Sequence, residues 1–127
     1  MKSRPRLIGF TLIELLVVMS IIAMLITLAI PRYFHSVDKT RETVLRENLT
    51  RTRDALDKFY GDNGRYPDTL ENLVTKKYLR SLPVDPITGS GTTWIIIPPE
   101  AEDKGAVYDI RSGSVDTARD GSKFQDW

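Results

Sequence analysis

Between Phe10 and Ile30 the chain reads FTLIELLVVMSIIAMLITLAI, 21 residues carrying one charge, Glu14. As a helix this run would extend about 31 Å, close to the hydrocarbon thickness of a bilayer. Thirteen of its residues are Phe, Leu, Ile or Val. At about 0.3 to 0.6 kcal/mol each, they favour insertion by about 4 to 8 kcal/mol. A carboxylate at the bilayer centre opposes this by only about 2.5 to 3.5 kcal/mol, and Glu14 lies near one end. The run can therefore span a membrane with its charge in place. A buried core helix is a competing reading, but a 127-residue chain has little sequence left to cover such a helix on every side. A cleaved secretory signal shares the basic start and the apolar stretch. Its apolar region is about 7 to 15 residues long and uncharged, and the small-residue cleavage candidate here, Thr27-Leu28-Ala29, is poor.

Beyond that segment there is room for one small domain. The formal net charge of +1, from 18 Lys and Arg against 17 Asp and Glu, gives no basic excess of the kind nucleic acid attracts. Without the first nine residues Lys2, Arg4 and Arg6 are lost, leaving 15 basic against 17 acidic side chains. Arg32, Lys39 and Arg41 follow the span closely, so the distribution of positive charge leaves its orientation open. The absence of cysteine excludes disulfides, Cys-ligated zinc and thiol catalysis, but not any compartment.

The stretch GFTLIELLVVMSIIAMLITLAIPRY resembles the start of a type IV prepilin or a type II secretion pseudopilin: a short basic leader, Gly9, Phe10, Glu14, an apolar helix and then Pro31. The resemblance implies that a prepilin peptidase cuts between Gly9 and Phe10 from the cytoplasmic side and methylates the new amino terminus. Residues 1–9 are then a leader, 10–30 a transmembrane and assembly helix, and 31–127 a periplasmic pilin-like domain anchored in the bacterial inner membrane. It further implies a homo-oligomeric helical filament. The expected partners are other pseudopilins, an inner-membrane assembly platform, the peptidase and membrane lipid, with no nucleic acid. Glu14 maps onto the glutamate that meets the amino terminus of a neighbouring subunit during assembly. Opposite charges attract strongly in a low-dielectric bundle only when paired, so such a carboxylate gives register to apolar helices that would otherwise slide.

Pro31 cannot donate a helical hydrogen bond, and a kink or local opening is expected there. After it, Val44 or Leu45, Leu49, Thr52, Leu56 and Phe59 or Tyr60 recur at helical spacing. Glu42 with Arg46, Glu47 with Arg51, and Asp54 with Lys58 stand four apart with the acid first. GDNG at 61–64 supplies a stop, and Asp68-Thr69-Leu70-Glu71 has the spacing of an N-cap with a reciprocal acid before a short helix facing inward through Leu70, Leu73 and Val74. TTWIII and AVYDI read as strands separated by the loop PPEAEDKG, and the tail is turn-rich, with Phe124 and Trp127 available to pin it. The expected fold is α+β, a long N-terminal helix packed on a small antiparallel sheet.

DNGRYP and LPVDPITG resemble stretches of the major, G-type pseudopilin, with Tyr66 and Pro67 fixing a loop against the long helix. Between Pro86 and Gly105 this chain carries TGSGTTWIIIPPE in place of the longer DPWGNPY region of the secretion subunit, which leaves secretion pseudopilus and surface pilus both open. G-type pseudopilins bind calcium in the C-terminal loop, and by that resemblance Asp109, Asp116 and Asp120 are the candidate ligands. Calcium takes several oxygens, which turns and carboxylates supply. The family's adjacent acidic pair is not evident here, however, and the spacing is not that of an EF-hand. Turn-forming aspartates bonded to nearby backbone are the alternative. His35 is the one histidine, and no nucleophile motif or phosphate loop appears; GSG at 89–91 reads as a turn. A structural subunit of a pseudopilus that serves type II protein secretion is therefore expected from the resemblance, with a type IV pilus subunit or minor pilin as the runner-up and a membrane-anchored periplasmic binding module or enzyme as the alternative of another class.

Overall fold

The computed structural model describes residues 2–127. Its long helix, α1, covers Leu12–Asn63. The chain divides into two compact units, one through Val37 and the other Asp38–Trp127.

In the first unit residues 2–11 are not helical, and the apolar side chains from Leu12 to Ile30 are all exposed. An 18-residue window of this helix has a mean hydropathy of 2.7 and no part of it is buried, so it is long and apolar enough to cross a membrane. Its two hydroxyls are neutralised locally: Ser20 Oγ donates to the Leu16 carbonyl at 2.7 Å and Thr27 Oγ1 to the Ala23 carbonyl at 2.8 Å. Each closes a bond within the helix and leaves neither hydroxyl donor unmet. Pro31 lies inside α1 with helix on both sides. In the lone chain, the missing backbone bond therefore does not end the helix.

In the second unit α1 buries one stripe, Leu45, Leu49, Thr52, Ala55, Leu56 and Phe59. Leu45 and Phe59, rather than Val44 and Tyr60, face inward. The helix ends where Gly64 takes φ 68° and donates to the Tyr60 carbonyl at 2.8 Å. A short helix, α2, Glu71–Thr75, follows, burying Leu73. The expected cap at Asp68 is not formed: Leu70 holds the N-cap position without a side-chain bond, because the Asp68 carboxylate is taken by Arg65 at 2.7 Å.

Strands β1, Ile95–Ile97, and β2, Asp109–Arg111, pair antiparallel with Ile96 opposite Ile110. β1 is shorter than TTWIII suggests because Trp94 turns inward and its indole N–H donates to the Pro83 carbonyl at 2.8 Å. Leu70, Leu73, Trp94, Val107, Ile110, Ala118 and Phe124 close over the α1 stripe in one core. The result is the α+β arrangement, a long helix with a two-stranded antiparallel sheet packed on it.

Two glycines permit the loops to close. A Cβ on Gly113 would lie 2.0 Å from the Thr93 carbonyl oxygen, and one on Gly105, at φ 103°, 2.1 Å from that of Tyr66. Neither position admits a side chain without backbone movement. Tyr66 stacks on Tyr60 with ring centroids 4.6 Å apart, and the Pro67 carbonyl accepts from Ala106 and Val107, which fixes this loop as expected.

Candidate functional site

The Gly9–Phe10 bond lies in the exposed, non-helical segment immediately before α1, and Phe10 is 83% exposed. A Cβ added at Gly9 would meet nothing within 4 Å. Any requirement for glycine there comes from what acts on the bond, not from the chain's own packing.

Glu14 sits in the first turn of α1 and forms a reciprocal cap with Thr11. The Glu14 amide donates to Thr11 Oγ1 at 3.2 Å, and the Thr11 amide donates to Glu14 Oε2 at 3.5 Å. Such an arrangement satisfies two amides that lack helical partners, and the first-turn carboxylate also complements the helix dipole. The longer of the two bonds is weak, so the carboxylate keeps acceptor capacity for a cation. The spacing from Thr11 to Glu14 is legible in the sequence as a capping pattern.

The three aspartates of the C-terminal region are not assembled into a site. Among the described residues no group of three or more His, Cys, Asp or Glu side chains is placed to hold a metal. Asp109 is engaged by Arg53, whose Nε donates to Oδ1 at 2.8 Å, and the Ile110 amide donates to the same oxygen at 2.7 Å. Asp120 accepts from the Ser122 amide at 2.9 Å and from Ser122 Oγ at 2.6 Å, and this pairing lowers its pKa below the usual carboxylate value. The Asp116 carbonyl accepts from the Phe124 amide. Two of the three carboxylates are thus engaged by protein donors, and the three are not brought together as a ligand set.

The tail is tied down by Phe124 and Trp127, as expected, together with side chains that sequence reasoning missed. Besides Asp109, Arg53 Nη2 donates to the carbonyls of Ile110 at 3.2 Å and Trp127 at 2.7 Å. Arg46 lies 3.9 Å over the Trp127 ring, and Trp127 meets the buried Phe124 edge-on at 5.0 Å. Glu42 accepts from the Arg119 amide at 2.8 Å and from Arg119 Nε at 3.2 Å. Asp85 is fully buried; its Oδ1 accepts from the Ile87 amide at 2.9 Å, and its Oδ2 from Ser112 Oγ at 2.6 Å and the Gly113 amide at 3.3 Å. Of the three helical ion pairs expected, Glu47–Arg51 is present, whereas Glu42 and Arg46 are drawn into these tertiary contacts. Asp54–Lys58 is not among the ion pairs of the described residues.

Comparison with known proteins bears on both regions. Residues 8–30 match the model of the prokaryotic N-terminal methylation motif. The type II secretion system core protein G of Pseudomonas aeruginosa is 37% identical over 94 residues, covering 61% of this chain and 66% of that protein. The protein of the same name from Escherichia coli (strain K12) is 30% identical over 132 residues, covering 91% of this chain and 87% of the relative. The type IV major pilin protein PilA of Myxococcus xanthus is 36% identical over 67 residues, 53% of this chain and 30% of that pilin. No solved structure gives a significant match. An amino-terminal methylation motif heading an exposed apolar helix, followed by similarity over nearly the whole remaining length, is a joint signature, and on it the chain belongs to the family of type II secretion system core protein G.

Proposed function

We propose that this protein is the structural subunit of a pseudopilus that supports type II protein secretion. The observation carrying the reading is the fully exposed apolar stretch of α1 headed by the matched methylation motif. In this reading the chain enters the inner membrane with its N-terminus cytoplasmic and its domain periplasmic. Prepilin peptidase removes residues 1–9 and methylates Phe10. Copies then associate through α1, with other pseudopilins and an inner-membrane assembly platform as partners.

Glu14 acts by charge. The new ammonium at Phe10 of one copy is drawn to the Glu14 carboxylate of its neighbour, a pairing favoured where water is excluded. Pro31 marks the place where α1 opens once packed in the filament, since its backbone already lacks one hydrogen bond. The work is assembly rather than catalysis. A type IV pilus subunit, major or minor, is the second reading, and the similarity to the Myxococcus xanthus pilin favours it.

Replacing Glu14 by Leu tests the proposal. Insertion should be retained, because the apolar contribution exceeds the carboxylate's penalty, while filaments visible by electron microscopy should be lost. Normal filaments from Glu14→Leu would remove the pairing argument.

A further inference from the structure

The second unit presents two unlike flanks: one carries a loop segment with cations and no acid, the other a loop in which acids outnumber the single Lys104, although Asp54 also lines the groove of the first. Lys58 and Tyr60 are two positions apart on α1, which at 3.6 residues per turn places them about 200° apart, on opposite sides of the buried stripe. On the Lys58 side a groove of about 440 Å³ is lined by α1 and by the segment Tyr78–Ser81. That segment continues a run from Asn72 to Val84 that contains Lys76, Lys77 and Arg80 and no acid. All three cations are exposed, and none forms an ion pair among the described residues. On the Tyr60 side a groove of about 600 Å³ is lined by Tyr66, Tyr108, Ile97 and the loop Pro98–Glu100 with Lys104. This loop carries Glu100, Glu102 and Asp103, all exposed and likewise outside any ion pair among the described residues.

We propose that the basic flank around Lys76, Lys77 and Arg80 receives the acidic loop Glu100–Asp103 of a second copy of this chain. The occupant follows from the distribution of charge. A two-fold dimer sets the same patch against itself, which here opposes cation to cation or acid to acid. A head-to-tail contact between unlike patches satisfies both, and because each copy still offers one free flank, it propagates, giving an open helical array where the rotation between copies does not close a ring. The inference rests on the filament reading and specifies which surfaces of the domain meet.

The absence of cysteine makes the test clean. Lys76→Cys and Glu102→Cys are introduced separately and together into the full chain in cells that assemble it, with Leu16→Cys as an independent reporter of packing between α1 helices. A ladder of disulfide-linked oligomers is expected from the double variant only. Adding Arg80→Glu should reduce it about tenfold or more, and adding Asp103→Lys to that chain should restore it. If Leu16→Cys cross-links but the double variant does not, the filament reading stands and this interface is overturned. If Leu16→Cys also fails, the filament reading itself is lost. Dimers from Lys76→Cys alone as abundant as the mixed product, or a ladder indifferent to Arg80→Glu, would also overturn the proposal.

Discussion

Leu16 and Leu56 are the same residue on the same helix, yet one is 58% and the other 1% exposed. From Leu12 to Ile30, α1 is apolar on every side but for Glu14, and none of the described residues buries it. From Leu45 to Phe59 it is apolar along one stripe, and the rest of the domain closes over that stripe. The difference is in periodicity rather than hydrophobicity. A helix apolar all round needs an environment supplied from outside, lipid or other helices, whereas a striped helix can be completed by its own chain. The first region is built for assembly and the second for independent stability.

The comparison breaks most visibly under truncation. Leu56→Ala should destabilise the domain by about 2 to 5 kcal/mol, since it removes buried methyl groups and leaves a cavity. Leu16→Ala should change the domain's unfolding free energy by no more than about 0.5 kcal/mol. Denaturant unfolding of the full chain in detergent checks both. Comparable losses would mean that the apolar stretch also stabilises the domain.

A smaller effect is expected where the tail is anchored. Arg53→Ala removes three hydrogen bonds and should lower stability by about 1 to 3 kcal/mol. Chelation with excess EDTA should leave the melting temperature of the unsubstituted protein unchanged. A melting temperature that falls with chelator and recovers with calcium would restore Asp109, Asp116 and Asp120 as candidate ligands.

The smallest effect is one of pH. The Ser122 hydroxyl and amide hold the Asp120 pKa below its ordinary value of 3.8. A depressed carboxylate contributes stability above its unfolded pKa and loses it as the pH falls through the lower, folded value. The Asp120→Asn variant should therefore differ slightly from the unsubstituted protein at neutral pH and converge with it in acid. A gap that persists below that range would assign the difference to geometry rather than charge.

The first region was more legible in the sequence than the second. The apolar run, Glu14 and the turn glycines follow from local spacing. Spacing alone does not choose Leu45 over Val44 or Phe59 over Tyr60, because either alternative fits the period and tertiary packing decides. Asp68 has the spacing of a cap but does not form one, because an equally local partner, Arg65, competes for the carboxylate. Arg53, Asp85 and the Glu42–Arg119 pair were invisible, since each joins residues at least 27 positions apart. Gly113 offered a faint signal, a glycine next to a strand, but its close approach to Thr93 depends on a loop that only the folded chain defines.

The claim that the exposed helix is made ready for assembly by processing is tested most directly by the intact mass of the protein recovered from membranes. The account predicts a chain that begins at Phe10 and carries one added methyl group, and accumulation of the unprocessed chain when Gly9 is replaced by Leu. Because a side chain at Gly9 meets nothing in the protein itself, misfolding would not explain that block. A mature mass that still includes residues 1–9, or processing unaffected by Gly9→Leu, would contradict it.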